Sequence, residues 1–154
     1  MKYDVRWAKR EEWNEAMRVV WRTFERFNAK DCSKEGAAYF QSFLFNEELK
    51  QAFYVGRYQL MVALDGARVI GVGSLRNVNH LSLLFVDEAY HLQGVGRAIL
   101  EVLCTYLRDE VGEHRMTLTA SPYAKEFYQK LGFVETSTKL YPPGLPVTFM
   151  EKEF

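Results

Sequence analysis

Residues 80–100, "HLSLLFVDEAYHLQGVGRAIL", constrain this chain more than any other stretch. A run that is apolar at all but its first and third positions, "HLSLLFV" (80–86), reads as a buried central strand. Beyond it Gly94 and Gly96 open a pattern in which Val95, Ile99, Val102, Leu103, Tyr106 and Leu107 recur at helical spacing. A strand that feeds a helix through a glycine-rich turn requires a sheet with that helix laid on one face. The turn also exposes several backbone N–H groups with no side chain in the way, and the helix dipole adds positive potential, which is the chemistry of a phosphate seat. The plain alternative is a turn that uses glycine only to relieve backbone strain. Two familiar nucleotide motifs fail by counting. A dinucleotide fingerprint needs a third glycine where Ile99 stands, and a P-loop needs Gly-Lys where Ile99 and Leu100 stand.

On either side the elements come in mixed order. "YDVRWA" (3–8) alternates as a first strand, and from Arg10 to about Asn28 the positions Trp13, Met17, Val20, Trp21, Phe24 and Phe27 predict a helix. Gly36 is expected to separate it from a second helical region, "AAYFQSFL" (37–44). "QLMVAL" (59–64) and "RVIGVGSL" (68–75) flank an Asp-Gly hairpin signal at 65 and 66. Gly112 is expected to cap the central helix, and "RMTLTA" (115–120) to follow as a strand. Pro122 is expected to start a short helix, "PYAKEFYQKL", that Gly132 closes. "FVETSTKL" (133–140) and "VTFMEKEF" (147–154) read as strands joined by the proline-stiffened "YPPGLP" (141–146).

At 154 residues the length predicts a single domain over 1–154. The composition, 48% apolar and 26% charged, is that of a compact chain. Charges interrupt every apolar run of the first residues, "MKYDVRWAKREEW", so neither a signal peptide nor a membrane span is expected. Twenty basic against twenty acidic residues give zero net charge, which argues against nucleic acid or an anionic membrane as partner. Cys32 and Cys104 are too few for a disulfide framework and read as free thiols of a reducing cytoplasm. His80, His91 and His114 have no spacing that pairs them, so no metal site is expected.

"YHLQGVGRAILEVL" after "LSLLFVDEA" resembles the acyl-CoA segment of the GNAT superfamily of N-acetyltransferases: Gln or Arg, two residues, Gly, one residue, then Gly or Ala. His91 stands at the Gln/Arg position, and Gly94 and Gly96 match the two small ones. "SPYAKEFYQKLGF" (121–133) resembles the family's later motif through Ala124, Phe127, Tyr128, Leu131, Gly132 and Phe133. The order of elements from Tyr3 to Phe154 agrees as well. The resemblance implies an α/β fold of the α+β kind, with a mixed, mostly antiparallel sheet of six to seven strands flanked by about four helices.

It also implies acetyl-CoA as co-substrate, held at the end of the central strand by Leu84, Phe85 and Val86 and at the turn by His91, Leu92, Gln93, Gly94, Val95, Gly96 and Arg97. Ser121 stands where many relatives have Asn, and Tyr128, by its place in the motif, is the expected general acid for the departing thiolate. A backbone N–H near Leu84 or Phe85 is the expected oxyanion donor. His80, whose ordinary pKa lies near neutrality, is the candidate base for an amine acceptor, the alternative being a strand-end histidine bonded to a neighbour. Cys104, on an apolar helix face without an activating base, is not expected to act as a nucleophile, so direct transfer is favoured over an acyl-enzyme. The aromatics between Phe27 and Tyr54 fall in the family's variable acceptor region, and "YPPGLP" is a candidate wall of the same site. A catalytically silent CoA-binding or protein-interaction domain of the same fold stays open, as does a homodimer.

Overall fold

The computed structural model describes residues 2–140, 144 and 146–154, with 137–140 described by their backbone alone. All seven described strands join one sheet: β1 (Asp4–Trp7), β2 (Gln59–Asp65), β3 (Arg68–Arg76), β4 (His80–Val86), β5 (Arg115–Ala120), β6 (Val134–Leu140) and β7 (Pro146–Glu153), in the order β1-β2-β3-β4-β5-β7-β6. Every pairing is antiparallel except β4 with β5. The helices are α1 (Trp13–Phe27), α2 (Lys34–Leu44), α3 (Glu47–Tyr54), α4 (Val95–Tyr106) and α5 (Lys125–Lys130). This is the mixed, mostly antiparallel arrangement expected. No helix among the described residues is long and apolar enough to cross a membrane.

Because β2 and β3 are covered on both faces, they read as nearly continuous apolar runs. On one face Trp13, Met17 and Val20 of α1 pack on Leu60, Val62, Val72 and Leu83. On the other, Ile99 and Leu103 of α4 pack on Met61, Ala63, Ile70 and Leu118. The two glycines of β3 set how closely α4 approaches. A Cβ at Gly71 would lie 2.9 Å from Ile99 Cδ1, and one at Gly73 would lie 2.4 Å from Ile99 Cγ2. Bare backbone at both positions lets the Ile99 side chain seat on the sheet.

Two boundaries differ from expectation. Gly36 lies within the first turn of α2, not between helices, because the Ser33 side chain caps that helix by accepting the Gly36 N–H at 3.0 Å. Pro122 lies in a turn ahead of α5, held by the Ala124 and Lys125 N–H groups bonding the Ser121 carbonyl at 3.1 Å each. Gly112 does terminate the α4 region, at φ +83. Of "YPPGLP", residues 141–143 and 145 lie outside the described residues. Gly144 accepts the Ser33 N–H at 3.0 Å, and a Cβ there would meet Ser33 Oγ at 1.9 Å, so only glycine fits against the α2 cap.

Candidate active site

The site starts from a failure of pairing. β4 and β5 share only the register His80↔Thr117 and Leu81↔Leu118, and beyond it no pair is formed. On the other side of β4 the register with β3 slips between Ser74 and Leu75, leaving Ser82 without a Cα partner, the signature of a bulge. A bulge re-aims the strand, and here the two parallel strands part from that level onward. A cavity of about 630 Å³ opens there, lined by β4 from Leu81 to Val86, by Thr119 and Ser121, by the start of α4, by α5, and by α1 and α2.

Alternation along β4 determines which backbone groups face the gap. Asp87 N–H donates to the Ile70 carbonyl at 2.8 Å, and Gly71 stands opposite Val86. Counting back by two places the Phe85 groups on β3, so the N–H and C=O of Leu84 and Val86 turn toward the parted side. The Val86 carbonyl is taken up by His91 Nε2 at 2.6 Å, which therefore carries its proton there, and the His91 ring lies on Phe27 with centroids 4.9 Å apart. Leu84 keeps the free backbone pair.

The glycine turn is anchored from below. Asp87 is buried, accepts the Ala89 N–H at 3.1 Å and pairs with Arg22 at 2.5 Å and Arg68 at 3.4 Å. Burial pushes its carboxyl upward, but the Ala89 bond and the two guanidiniums together hold it below the usual carboxylate range. Gly94 caps α4 at φ +78 with open space where a Cβ would be, and Leu92, at φ +61, is fully exposed beside it. A Cβ at Gly96 would make only ordinary contacts, 3.5 Å to Val86 Cγ2 and 3.6 Å to Phe127 Cζ. Internal packing does not demand glycine at 96, which lines the cavity at the start of α4.

Another wall of the cavity is aromatic and hydroxyl-rich. Phe24 stacks on Phe40 at 4.4 Å, and Phe40, Tyr39 and Phe43 line the wall. Pro146 and Val147, the first residues of β7, complete it. Under Ser82 the buried Tyr58 hydroxyl bonds Ser74 Oγ at 2.7 Å and donates to Ser82 Oγ at 3.0 Å, bracing the bulge. Asn28, buried at the end of α1, donates to Ser121 Oγ at 2.8 Å and so ties α1 to the end of β5.

Titration behaviour separates the candidate acid from the candidate base. Tyr128 is 6% exposed, lines the cavity and meets Phe127 and Phe133 edge-on, and burial pushes its hydroxyl well above the usual phenol range. It stays protonated at any working pH. Burial first, and the positive charge of Arg76 second, lower His80 to about 4. Its Nδ1 lies 2.8 Å from Thr117 Oγ1. The Cys32 thiol, at the cavity wall, is raised by burial and by Asp31.

A family model of the acetyltransferase (GNAT) domain matches residues 28–154. The chain belongs to the GNAT acetyltransferase family. Among curated proteins, a glucosamine 6-phosphate N-acetyltransferase of Trypanosoma brucei brucei is 33% identical over 76 residues, 43% of this chain and 51% of that protein. The chain thus spans about half the length of the curated relative it matches. Among solved structures, a GCN5-related N-acetyltransferase from Rhodopseudomonas palustris has a TM-score of 0.87 at 23% identity, covering 100% of this chain and 97% of that one. PaiA N-acetyltransferase from Thermoplasma acidophilum, in complex with coenzyme A, has a TM-score of 0.83 at 18% identity over 100% of both chains.

In this GNAT domain Leu84, Phe85, Val86, His91, Leu92, Gly94, Val95, Gly96, Arg97, Ser121 and Tyr128 all line one cavity. Gln93 does not: its side chain accepts the Tyr3 hydroxyl at 2.9 Å and turns back to the Ala89 carbonyl at 3.4 Å. Nor is His80 among the lining residues, since it points into the β4–β5 contact at Thr117. Arg97 is engaged by Glu101 at 3.0 Å. Sequence reasoning passed over Arg76, Ser82, Tyr58 and Asn28. Only a knowledge of where β4 bulges and where α1 ends makes them neighbours.

Proposed function

We propose that this chain transfers an acetyl group from acetyl-CoA directly to a primary amine of a small molecule or peptide, with both reactants held together in a ternary complex. The observation that carries this reading is the amide-lined gap between β4 and β5, which runs from the glycine turn to the buried Tyr128. The residues present fit an acyl-CoA. The first N–H groups of α4 lack intrahelical acceptors, Gly94 and Gly96 leave them uncovered, and the Leu84 backbone offers a strand edge to a pantetheine arm. Bound there, acetyl-CoA supplies a thioester carbonyl for the amine to attack and a thiolate to leave.

The chain's own contribution is placement and charge control. Holding two reactants in one cavity removes most of the entropic barrier to their meeting. Leu84 N–H, unpaired on the parted side, is the donor for negative charge developing on the carbonyl oxygen. The Tyr128 hydroxyl, kept protonated by its apolar surroundings, gives its proton to the departing sulfur, and the proton that the attacking amine gives up restores it. His80 is not assigned as base, because a group near pKa 4 that faces Thr117 neither reaches the cavity nor accepts a proton readily at neutral pH.

The test is CoA release from acetyl-CoA over a panel of amines, alongside acetyl-CoA affinity. Tyr128→Phe is expected to lower kcat about a hundredfold while acetyl-CoA affinity holds. Binding without turnover for any amine would support the silent CoA-binding domain instead. No acetyl-CoA binding at all would defeat both readings.

A further inference from the structure

Among the described residues, three cationic side chains line the cavity: Arg76, Arg97 and Lys130. Arg97 is paired with Glu101 at 3.0 Å, and Lys130 with Glu126 at 3.2 Å. Arg76 has no ion pair among the described residues, and its Nε is a buried side-chain nitrogen without a hydrogen-bond partner, alone in this among them. A buried donor left unmatched inside a protein asks for an explanation, because desolvating it costs free energy that nothing in the chain returns. Arg76 ends β3 opposite His80, the first residue of β4, whereas the glycine turn follows the last. Six residues of strand separate the two levels, about 20 Å. The guanidinium, near His80 and Tyr58, therefore serves the acceptor end and not the end where the glycine turn lies. Among the described residues, the only carboxylate lining the cavity, Glu126, is on α5 with Lys130.

We propose that the acceptor is an amine that also carries an anionic group, a carboxylate or a phosphate, and that Arg76 binds that anion. This rests on the acetyl-transfer reading above and names the substrate class. A guanidinium fork matches either oxyanion in two parallel bonds. It equally repels a polyamine, whose second positive charge would enter a cavity end that holds, among the described residues, an unpaired cation and no free carboxylate. The aromatic wall of Tyr39, Phe40 and Phe43 then covers the body of the acceptor between amine and anion.

The experiment compares matched acceptors under saturating acetyl-CoA: L-phenylalanine against phenethylamine for a carboxylate, glucosamine 6-phosphate against glucosamine for a phosphate, and spermidine as polycation. At least one anionic member is expected to exceed its neutral partner at least tenfold in kcat/KM, with spermidine poorest. Arg76→Gln is expected to raise KM for that member by about tenfold to a hundredfold, leaving its neutral partner and the acetyl-CoA KM unmoved. Arg76→Lys keeps the charge without the fork and recovers part of the loss. Preference for the neutral members or for spermidine, or an anion preference that survives Arg76→Gln, overturns the proposal. A second readout does not depend on turnover: the Arg76 Nε–H resonance of the CoA-loaded protein, titrated with glucosamine 6-phosphate and with L-phenylalanine. A shift with either, absent with its neutral partner, supports the anion site even if no amine is acetylated. No shift with either overturns it even if some amine is.

Discussion

His80 is expected to titrate near pH 4, and its protonation is expected to weaken the fold. Burial is the larger cause of the depression and the positive charge of Arg76 the smaller. From an ordinary value of 6.5 to about 4 the shift is worth roughly 3 kcal/mol at about 1.4 kcal/mol per pH unit. The ring is partly exposed, and solvent screening reduces that to about 1–2 kcal/mol. The sign follows from proton counting. A depressed pKa means that the unfolded chain takes up the proton first, so the contribution is complete above pH 6.5 and is lost as pH falls through 4. Urea unfolding of the wild type and of His80→Gln at pH 7.5 and pH 4.5 isolates this term from the carboxylates that titrate over the same range. The wild type should lose about 1–2 kcal/mol more than the variant. Proton NMR of the ring supplies the pKa directly. A His80 resonance titrating at 6.5 or above, or equal losses in the two proteins, refutes the reasoning. It would also restore His80 as a base competent at neutral pH.

Two further substitutions separate the fold from the site. Gly96→Ala adds a methyl that meets Val86 and Phe127 at ordinary distances of 3.5 and 3.6 Å, so thermal stability should hold. The same methyl covers the α4 amides, and acetyl-CoA affinity measured by calorimetry should fall about tenfold or more; an unchanged Kd removes the turn from the binding site. Gly73→Ala drives a methyl to 2.4 Å from Ile99 Cγ2 and 3.2 Å from Leu103 Cδ1, both fully buried. Chemical denaturation should show a loss of about 1–3 kcal/mol, and Gly73→Ala with Ile99→Ala should lose less than the two single changes summed.

What could be read in advance was what is local. Periodicity placed every strand and the long helices, because the side-chain period is a property of a short window. The glycine turn and Tyr128 were legible through two motifs whose residues lie close together in the chain. The errors share one cause. Gly36 looked like a break, but Ser33 three residues earlier supplies the cap that lets the helix begin before it. Pro122 looked like a helix start, but the Ser121 carbonyl bonds the next turn first.

His80, Arg76 and Ser82 depend on contacts between strands far apart in the chain, which no window of sequence contains. By itself the sequence determined the strands, most of the helices, their order and the glycine turn, since these follow from propensity and spacing, whereas the short α3 escaped it. Tertiary structure alone decided that β4 bulges at Ser82 and leaves β5 after two pairs, which opens the cavity and frees the Leu84 backbone. It also turned His80 onto Thr117 and left Arg76, at the cavity, without an ion pair among the described residues, because burial and partners, not residue type, determine what a titratable group does.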